Sequence, residues 1–186
     1  GGHFHPDTPY SSLDVAILGK AKKGAVILSS TAKPGDSIVV GVDLDGMVHP
    51  SFAINWDSTS FKDRETLLRQ LGSMRELGER NLVTAGKDIS NPGMLGTLGM
   101  LLESSHMGAV VDLDFLPKPE GMEMLTWQKM YPGMGFVVTA PPDKAEEVAQ
   151  VFRDRGLTAA LIGRVTEERR LEIASGGEKA ILFDFK

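Results

Sequence analysis

The residues best suited to chemistry lie in one stretch, Lys87–Glu103, which reads KDISNPGMLGTLGMLLE. A short apolar strand leads into it, and the pattern predicts a polar turn followed by a helix. Pro92 suits the first turn of a helix, where its missing N–H costs nothing, and Ser90 or Asn91 is expected to cap that turn. The first-turn N–H groups, with the positive end of the helix dipole behind them, would then suit an anion.

Lys87 and Asp88 precede the turn and are expected at the end of the strand, beside this anion site. A simpler interpretation is a well-capped helix in which Gly93, Gly96 and Gly99 serve packing alone. Each internal glycine costs a helix about 1 kcal/mol relative to alanine. We therefore expect close contact with a sheet or with a ligand on the glycine face.

Two further groups of residues invite a functional interpretation. His3, His5 and Asp7 alternate near the amino-terminal end. They could contribute to a metal site, but a proline-broken arm shows no preformed geometry, so a surface arm is the simpler interpretation and no metal site is predicted. The run Asn55-Trp56-Asp57 either lines a pocket or anchors a loop through a buried tryptophan.

Composition excludes several classes of protein. The 186 residues are 41% hydrophobic and 24% charged, with a formal net charge of −5, as in ordinary globular domains. Without a basic block, nucleic acid is not an expected partner, and no apolar run reaches the ~18 residues that cross a membrane. Cysteine is absent, which excludes disulfides and thiol nucleophiles and is consistent with a reducing cytoplasm.

The elements that must position the candidate residues follow from hydrophobic periodicity. Strands are predicted at 13–21, 37–44, 82–85, 109–113, 136–140, 159–165, 171–174 and 180–185, and helices at 61–80, 92–106, 125–131 and 143–155. Ser60 and Asp63 resemble a capping box before the first helix, whose apolar face includes Leu71, and Gly108 is expected to cap the second. The segment 48–60 is expected to be irregular. Alternating strands and helices predict one α/β or α+β domain with helices packed on a sheet.

Four motifs in a fixed order give the chain a family resemblance. They are GGH at 1–3, KPGD at 33–36, KDISNPG at 87–93 and YPGMGF at 131–136. In this order they resemble the AIR synthase (PurM-like) superfamily, C-terminal domain. Together with GGHFHPDTPY and NWDST they most resemble AIR-synthase-related proteins of the methanogenesis marker protein 2 type.

The resemblance implies a fold, a domain division and cofactors. It implies a PurM C-terminal-domain-like mixed sheet with packed helices over residues 13–186, and it makes 1–12 the residual edge of an upstream ATP-binding domain. ATP and Mg²⁺ are the implied cofactors of the full-length protein, a small phosphorylated or carbonyl-containing compound its substrate, and a homodimer its assembly. As a fragment, the chain is expected to be inactive by itself.

The resemblance also suggests roles for individual residues in an ATP-dependent ligase or kinase-like reaction. Lys87 would offset phosphate charge, the backbone of Ser90, Asn91 and Gly93 would cradle the phosphate, and Asp88 would orient a metal or a substrate hydroxyl. Gly1, Gly2 and His3 would belong to the cofactor-binding motif. Asn91-Pro92-Gly93 replaces the triple glycine of the family, so Pro92 removes one amide donor. A non-catalytic ligand-binding or assembly domain therefore stays open as the alternative.

Overall fold

The computed structural model describes residues 15–186, which form ten strands and four α-helices. The strands are β1 (Ser37–Val42), β2 (Met47–His49), β3 (Phe52–Asp57), β4 (Ala85–Asp88), β5 (Gly108–Asp112), β6 (Tyr131–Pro132), β7 (Gly135–Ala140), β8 (Thr158–Thr166), β9 (Arg170–Ser175) and β10 (Glu178–Asp184). The helices are α1 (Arg64–Glu79), α2 (Gly93–Ser105), α3 (Met124–Trp127) and α4 (Ala145–Asp154).

Seven strands form one sheet in the order β10-β9-β5-β8-β1-β7-β4, and a second sheet has the order β2-β3-β6. Within the large sheet β5 and β9 are parallel, whereas the other neighbouring pairs are antiparallel. The predicted mixed α/β architecture with helices packed on a mixed sheet is thus confirmed.

The centre of the large sheet is buried on both faces. Successive side chains of a strand point to opposite faces, so Ile38 and Val40 of β1 join the core cluster that includes α2, while Val39 joins the cluster that includes α4. This explains why β1 reads as a continuous apolar run instead of an alternating one.

Two predictions about where strands occur are wrong, because a strand forms only where another strand pairs with it. Residues 15–21 form no strand, although their pattern alternates, since no strand of the described chain pairs with them. The segment predicted to be irregular contains β2 and β3, which pair with each other. Hydrogen bonds to a neighbouring strand stabilise a strand even where a short polar or proline-containing sequence does not predict one.

The helix ends differ from the predictions in detail. Asp63, not Ser60, caps α1, because its carboxylate accepts from the Thr66 amide at 2.8 Å. Leu71, expected on the apolar face of α1, is exposed. At the end of α2, His106 takes the left-handed conformation that was expected of Gly108, and Gly108 instead begins β5.

Ion pairs join α1 to α4 on the face of the large sheet opposite α2. Glu76 accepts from Arg155 of the α4 terminus, with a distance of 2.7 Å from Nη2 to Oε2, and from Arg80 at 2.7 Å, while Arg80 also reaches Glu147. The hydrogen bonds from Arg155, and then those from Arg80, lower the pKa of Glu76 below its ordinary value. Stability contributed by Glu76 is therefore present above the unfolded-state pKa and is lost as pH falls through the folded-state pKa.

We expect Glu76→Gln to lower the free energy of unfolding by about 1 kcal/mol at pH 7, with a difference that shrinks below pH ~4.5. Urea unfolding at several pH values measures this. Glu120→Gln, on an exposed loop, should show no such dependence. A difference for Glu76→Gln that does not change between pH 7 and pH 3 would contradict the proposed linkage.

Candidate functional site

The candidate site lies at one edge of the large sheet. Both β1 and β4 pair antiparallel with β7, so they run parallel to each other and their carboxyl ends meet at the same edge. Val42 lies opposite Gly135, and Asp88 lies opposite Phe136, at the start of β7. The polar residues that follow β1 and β4 are therefore brought together by the strand arrangement.

The turn at 132–135 holds three loops at this edge. Its Met134 carbonyl accepts from the Asp43 amide after β1, and the Gly135 carbonyl accepts from the Ile89 amide after β4, at 3.0 and 2.9 Å. The Gly133 amide donates to the Trp56 carbonyl of β3 at 2.8 Å. The YPGMGF motif thus ties the carboxyl ends of β1, β3 and β4 into one surface.

Lys87 and Asp88 end β4 at this surface, as the sequence predicts. The Lys87 ammonium lies 4.0 Å from an Asp88 carboxylate oxygen, the outer limit of an ion pair, and the two side chains are 25% and 70% exposed. Asp88 is therefore a carboxylate open to a ligand, with a cation beside it. Their chemical roles stay predictions.

The Ser90–Gly93 turn differs from the expected anion cradle. The Ser90 amide donates to the Thr97 hydroxyl at 3.1 Å, and the Gly93 amide donates to the Ser90 carbonyl at 2.9 Å. Pro92 occupies the N-cap position without a side-chain hydrogen bond, so the prediction that Ser90 or Asn91 is the cap residue is wrong. Two amides assigned to the cradle are thus already bonded within the chain, and Asn91 is exposed beside them.

The glycine face of α2 makes close contact with other parts of the chain. A Cβ on Gly93 would overlap the backbone at Gln128 and Lys129, and one on Gly96 would overlap the Pro92 ring. A Cβ on Gly99 would lie 3.1 Å from the Phe183 ring of β10. We expected the glycine face to contact either a sheet or a ligand, and at Gly99 it contacts the sheet.

A buried charge network that the sequence did not reveal stands behind the loop after β1. The Asp43 carboxylate is buried and accepts from the Lys62 ammonium at 2.7 Å and from the Gln70 amide at 2.6 Å. Lys62 also reaches the Asp45 carboxylate at 3.1 Å. Burial opposes the charge of Lys62, but the hydrogen bonds to Asp43 and Asp45 outweigh it and raise the pKa of Lys62.

This network joins the loop after β1 to α1 and to the residue before its cap, so no local spacing marks Asp43 as their partner. One signal was available in the sequence, since Asp43 follows the apolar β1 run directly. A carboxylate at the end of a buried strand needs a partner, and the sequence does not say which cation supplies it.

The loop after β3 is fixed by its own aspartate and by a tryptophan. Hydrogen bonds from Ser60, and then from the Thr59 amide, hold the pKa of Asp57 below its ordinary value. Trp56 is buried, donates to the Asp43 carbonyl at 3.2 Å and lies edge-on to Trp127 with ring centres 5.7 Å apart. Of the two interpretations of Asn55-Trp56-Asp57, the buried anchor is the one observed.

Some predicted residues lie outside the described part of the chain. Gly1, Gly2 and His3, assigned to the cofactor motif, and the possible metal ligands His5 and Asp7 all precede residue 15. Within residues 15–186 no three His, Cys, Asp or Glu side chains come together to hold a metal ion. None of the helices in this described part of the chain has the length and apolar composition of a membrane-spanning segment.

The seven-stranded mixed sheet and its packed helices define a mixed α/β domain whose candidate site lies at one edge of the sheet. The chain belongs to the family of AIR synthase related proteins, C-terminal domain, whose sequence model matches residues 33–175. The predicted superfamily is confirmed.

Among the curated relatives, two uncharacterized proteins match over the whole chain at more than 30% identity. An uncharacterized protein of Methanocaldococcus jannaschii is 44% identical over 186 residues, and one of Synechocystis is 33% identical over 186 residues. The chain spans 57% of the length of each.

Solved structures show the same fold. PurL of T. maritima complexed with ATP superposes with a TM-score of 0.71 at 20% identity, over 87% of this chain and 27% of that one. Hydrogenase maturation protein HypE in complex with ATP superposes with a TM-score of 0.63 at 16% identity, over 86% of this chain and 53% of that one. At these identities the likeness establishes the architecture.

Proposed function

We propose that this chain is the substrate-side domain of an ATP-dependent enzyme that activates or phosphorylates a small phosphorylated or carbonyl-containing substrate. The observation that carries the proposal is the exposed Asp88 carboxylate beside the Lys87 ammonium, at the edge where three loops meet. The structures of PurL and HypE with ATP support it by analogy.

The two side chains fit the needs of phosphoryl transfer. Such a reaction depends mainly on positioning and on neutralising charge, and Lys87 would offset the charge of a phosphate. Mg²⁺ is commonly held by one or two carboxylates together with substrate phosphates, so Asp88 could supply one ligand. Bound Mg–ATP would supply the phosphoryl group, while Asp88 would alternatively orient a substrate hydroxyl.

The remaining parts of the proposal concern the whole protein. Residues 1–12, with Gly1, Gly2 and His3, would form the edge of an ATP-binding domain, and residues 13–186 the substrate-side domain. Homodimer formation and a cytoplasmic location belong to the same proposal.

A second candidate function is a ligand-binding or assembly domain without catalysis. The observation that favours it is the internal use of the Ser90 and Gly93 amides, together with the missing N–H of Pro92. A loop in which these three positions offer no amide donor holds a phosphate less well than a loop of three glycines.

ATP turnover by the whole protein that carries this chain tests the proposal. With Mg–ATP and candidate acceptors, Asp88→Ala should lower kcat for ADP release by about 100-fold, because a positioned carboxylate contributes roughly that much. Lys87→Ala should raise the KM for ATP as well. Steady-state ADP release measures the first effect, and calorimetric titration of Mg–ATP measures nucleotide binding.

Asp143→Ala is the matched control, because Asp143 is an exposed aspartate on a different turn. It should leave both kcat and nucleotide binding unchanged. Wild-type turnover in Asp88→Ala would remove the role given to that residue. Failure of the whole protein to bind Mg–ATP would favour the non-catalytic alternative.

A further inference from the structure

The strand β10 leaves one end of the large sheet open. It bonds to β9 alone among the described strands, and all seven residues from Glu178 to Asp184 are exposed. Three consecutive large apolar side chains lie in it: Ile181, Leu182 and Phe183 are 56%, 39% and 39% exposed. A long apolar edge of this kind is a template for pairing with another strand.

The opposite end of the same sheet is treated differently. There β4 is the edge strand, and its Gly86 amide donates to the Leu28 carbonyl at 3.0 Å, so a segment of the chain itself lies against this edge. Within residues 15–186 no comparable segment pairs with the outer side of β10. The contrast marks β10 as the edge with unused pairing capacity.

The pairing of β10 with β9 fixes which side chains share a face. Lys179 and Asp184 lie opposite Ala174 and Arg170, which are four residues apart on β9 and so face the same way. Ala180 and Phe183 lie opposite Ile173 and Leu171, on the other face. An irregularity between Ile181 and Phe183 keeps both sets aligned.

We propose that β10 pairs antiparallel with β10 of a second copy of this chain, about a twofold axis between Ile181 and Leu182. This arrangement places Lys179 opposite Asp184 of the second copy, on matched faces, and does so twice by symmetry. On the other face Ala180 lies opposite Phe183 of the second copy. Opposite charges and apolar groups facing each other across strands stabilise the pair.

The charge pattern of the edge favours a second copy over an unrelated strand. Because β10 carries a cation near one end and an anion near the other, two copies of it place opposite charges side by side only when they run antiparallel. Within the chain the Lys179 ammonium lies 3.0 Å from Glu172, and the Asp184 carboxylate lies 3.3 Å from Lys186. Each of these charges would therefore have two oppositely charged neighbours in the pair of strands, one within its own chain and one in the second copy. This contact is separate from the homodimer that the family resemblance implies, which we expect to form through the upstream ATP-binding domain.

Sedimentation equilibrium of the 186-residue chain from about 1 to 500 μM tests this arrangement. The mass should rise from the 20.1 kDa monomer toward twice that value. Ile181→Lys should weaken association at least 10-fold, since it puts a charge at the centre of the pairing, while Glu172 opposite it within the chain keeps the substitution compatible with the fold. Thermal unfolding at low concentration verifies the fold of each variant.

Exchanging charges separates this register from others. Asp184→Lys should weaken association at least 10-fold, because it sets an added cation against Lys179 of the second copy. Adding Lys179→Glu to it should restore association to within about threefold. Asp143→Lys, an equal charge change far from β10 in sequence, should have no effect.

Three results would overturn the proposal. A folded wild-type chain that stays monomeric at every concentration rules out self-pairing. Association unaffected by Ile181→Lys assigns the contact to a different surface. Failure of the double exchange to restore association, in variants that unfold like the wild type, rules out the Lys179–Asp184 register.

Discussion

Asp43→Ala is expected to lower the free energy of unfolding by about 3 kcal/mol, because it leaves a buried cation without its main partner. The Lys62 ammonium is held between the carboxylates of Asp43 and Asp45, and its side chain is largely buried. The Gln70 amide, fully buried, would lose its 2.6 Å acceptor as well. For a chain of this length the change corresponds to a fall in Tm of about 6–12 °C.

Chemical denaturation of the wild type and the variant measures the effect. Asp45→Ala is the matched control, since it removes the other carboxylate from the same lysine. The Asp45 side chain is 94% exposed whereas that of Asp43 is 4% exposed, so the control should cost at most about 1 kcal/mol. Equal losses for the two variants would show that burial of the charge does not decide the energy.

A double variant that lacks both charges tests whether the unpaired buried charge of Lys62 causes the loss of stability. Asp43→Ala combined with Lys62→Met should lose less stability than the sum of the single variants, because no unpaired charge stays buried. A double variant whose loss equals the sum would indicate that Lys62 and Asp43 do not interact in the folded state.

Gly93→Ala is expected to lower the free energy of unfolding by about 3 kcal/mol and to distort the candidate site. Gly93 has a φ of +74°, where an L-residue costs about 1–2 kcal/mol. A Cβ there would also overlap the Gln128 carbonyl and lie 3.0 Å from the carbonyl carbon of Lys129. Because these are backbone atoms, the segment after α3 would have to move away from the start of α2.

Gly121→Ala separates the two costs. Gly121 has the same φ of +74° but no atom within 4 Å of the added Cβ, so its variant carries the conformational cost alone. Thermal and urea unfolding should therefore place Gly121→Ala about 1–2 kcal/mol below the wild type and Gly93→Ala clearly further. Indistinguishable variants would show that the segment at Gln128 yields without cost.

Gly93 and Gly121 also show which features of the candidate site the sequence could predict. The KDISNPG motif placed Lys87 and Asp88 at a strand end and α2 directly after them, and both placements hold. Spacing could not tell that the Ser90 amide would bond to Thr97 or that Gly93 would meet Gln128, which lies 35 residues later in the chain. An amide's partner depends on which segment packs above it.

The sequence by itself indicated the family through four motifs in a fixed order. It also determined the α/β class and most elements, because helical and strand periodicities are local properties that a chain carries wherever it folds. Tertiary structure alone decided which strands are neighbours. It brought Asp43 together with Lys62 and Gln70 from a distant segment and joined the loops after β1, β3 and β4 through one turn. It also left residues 15–21 without a strand partner and β10 with an open edge, since pairing depends on contacts between segments distant in sequence.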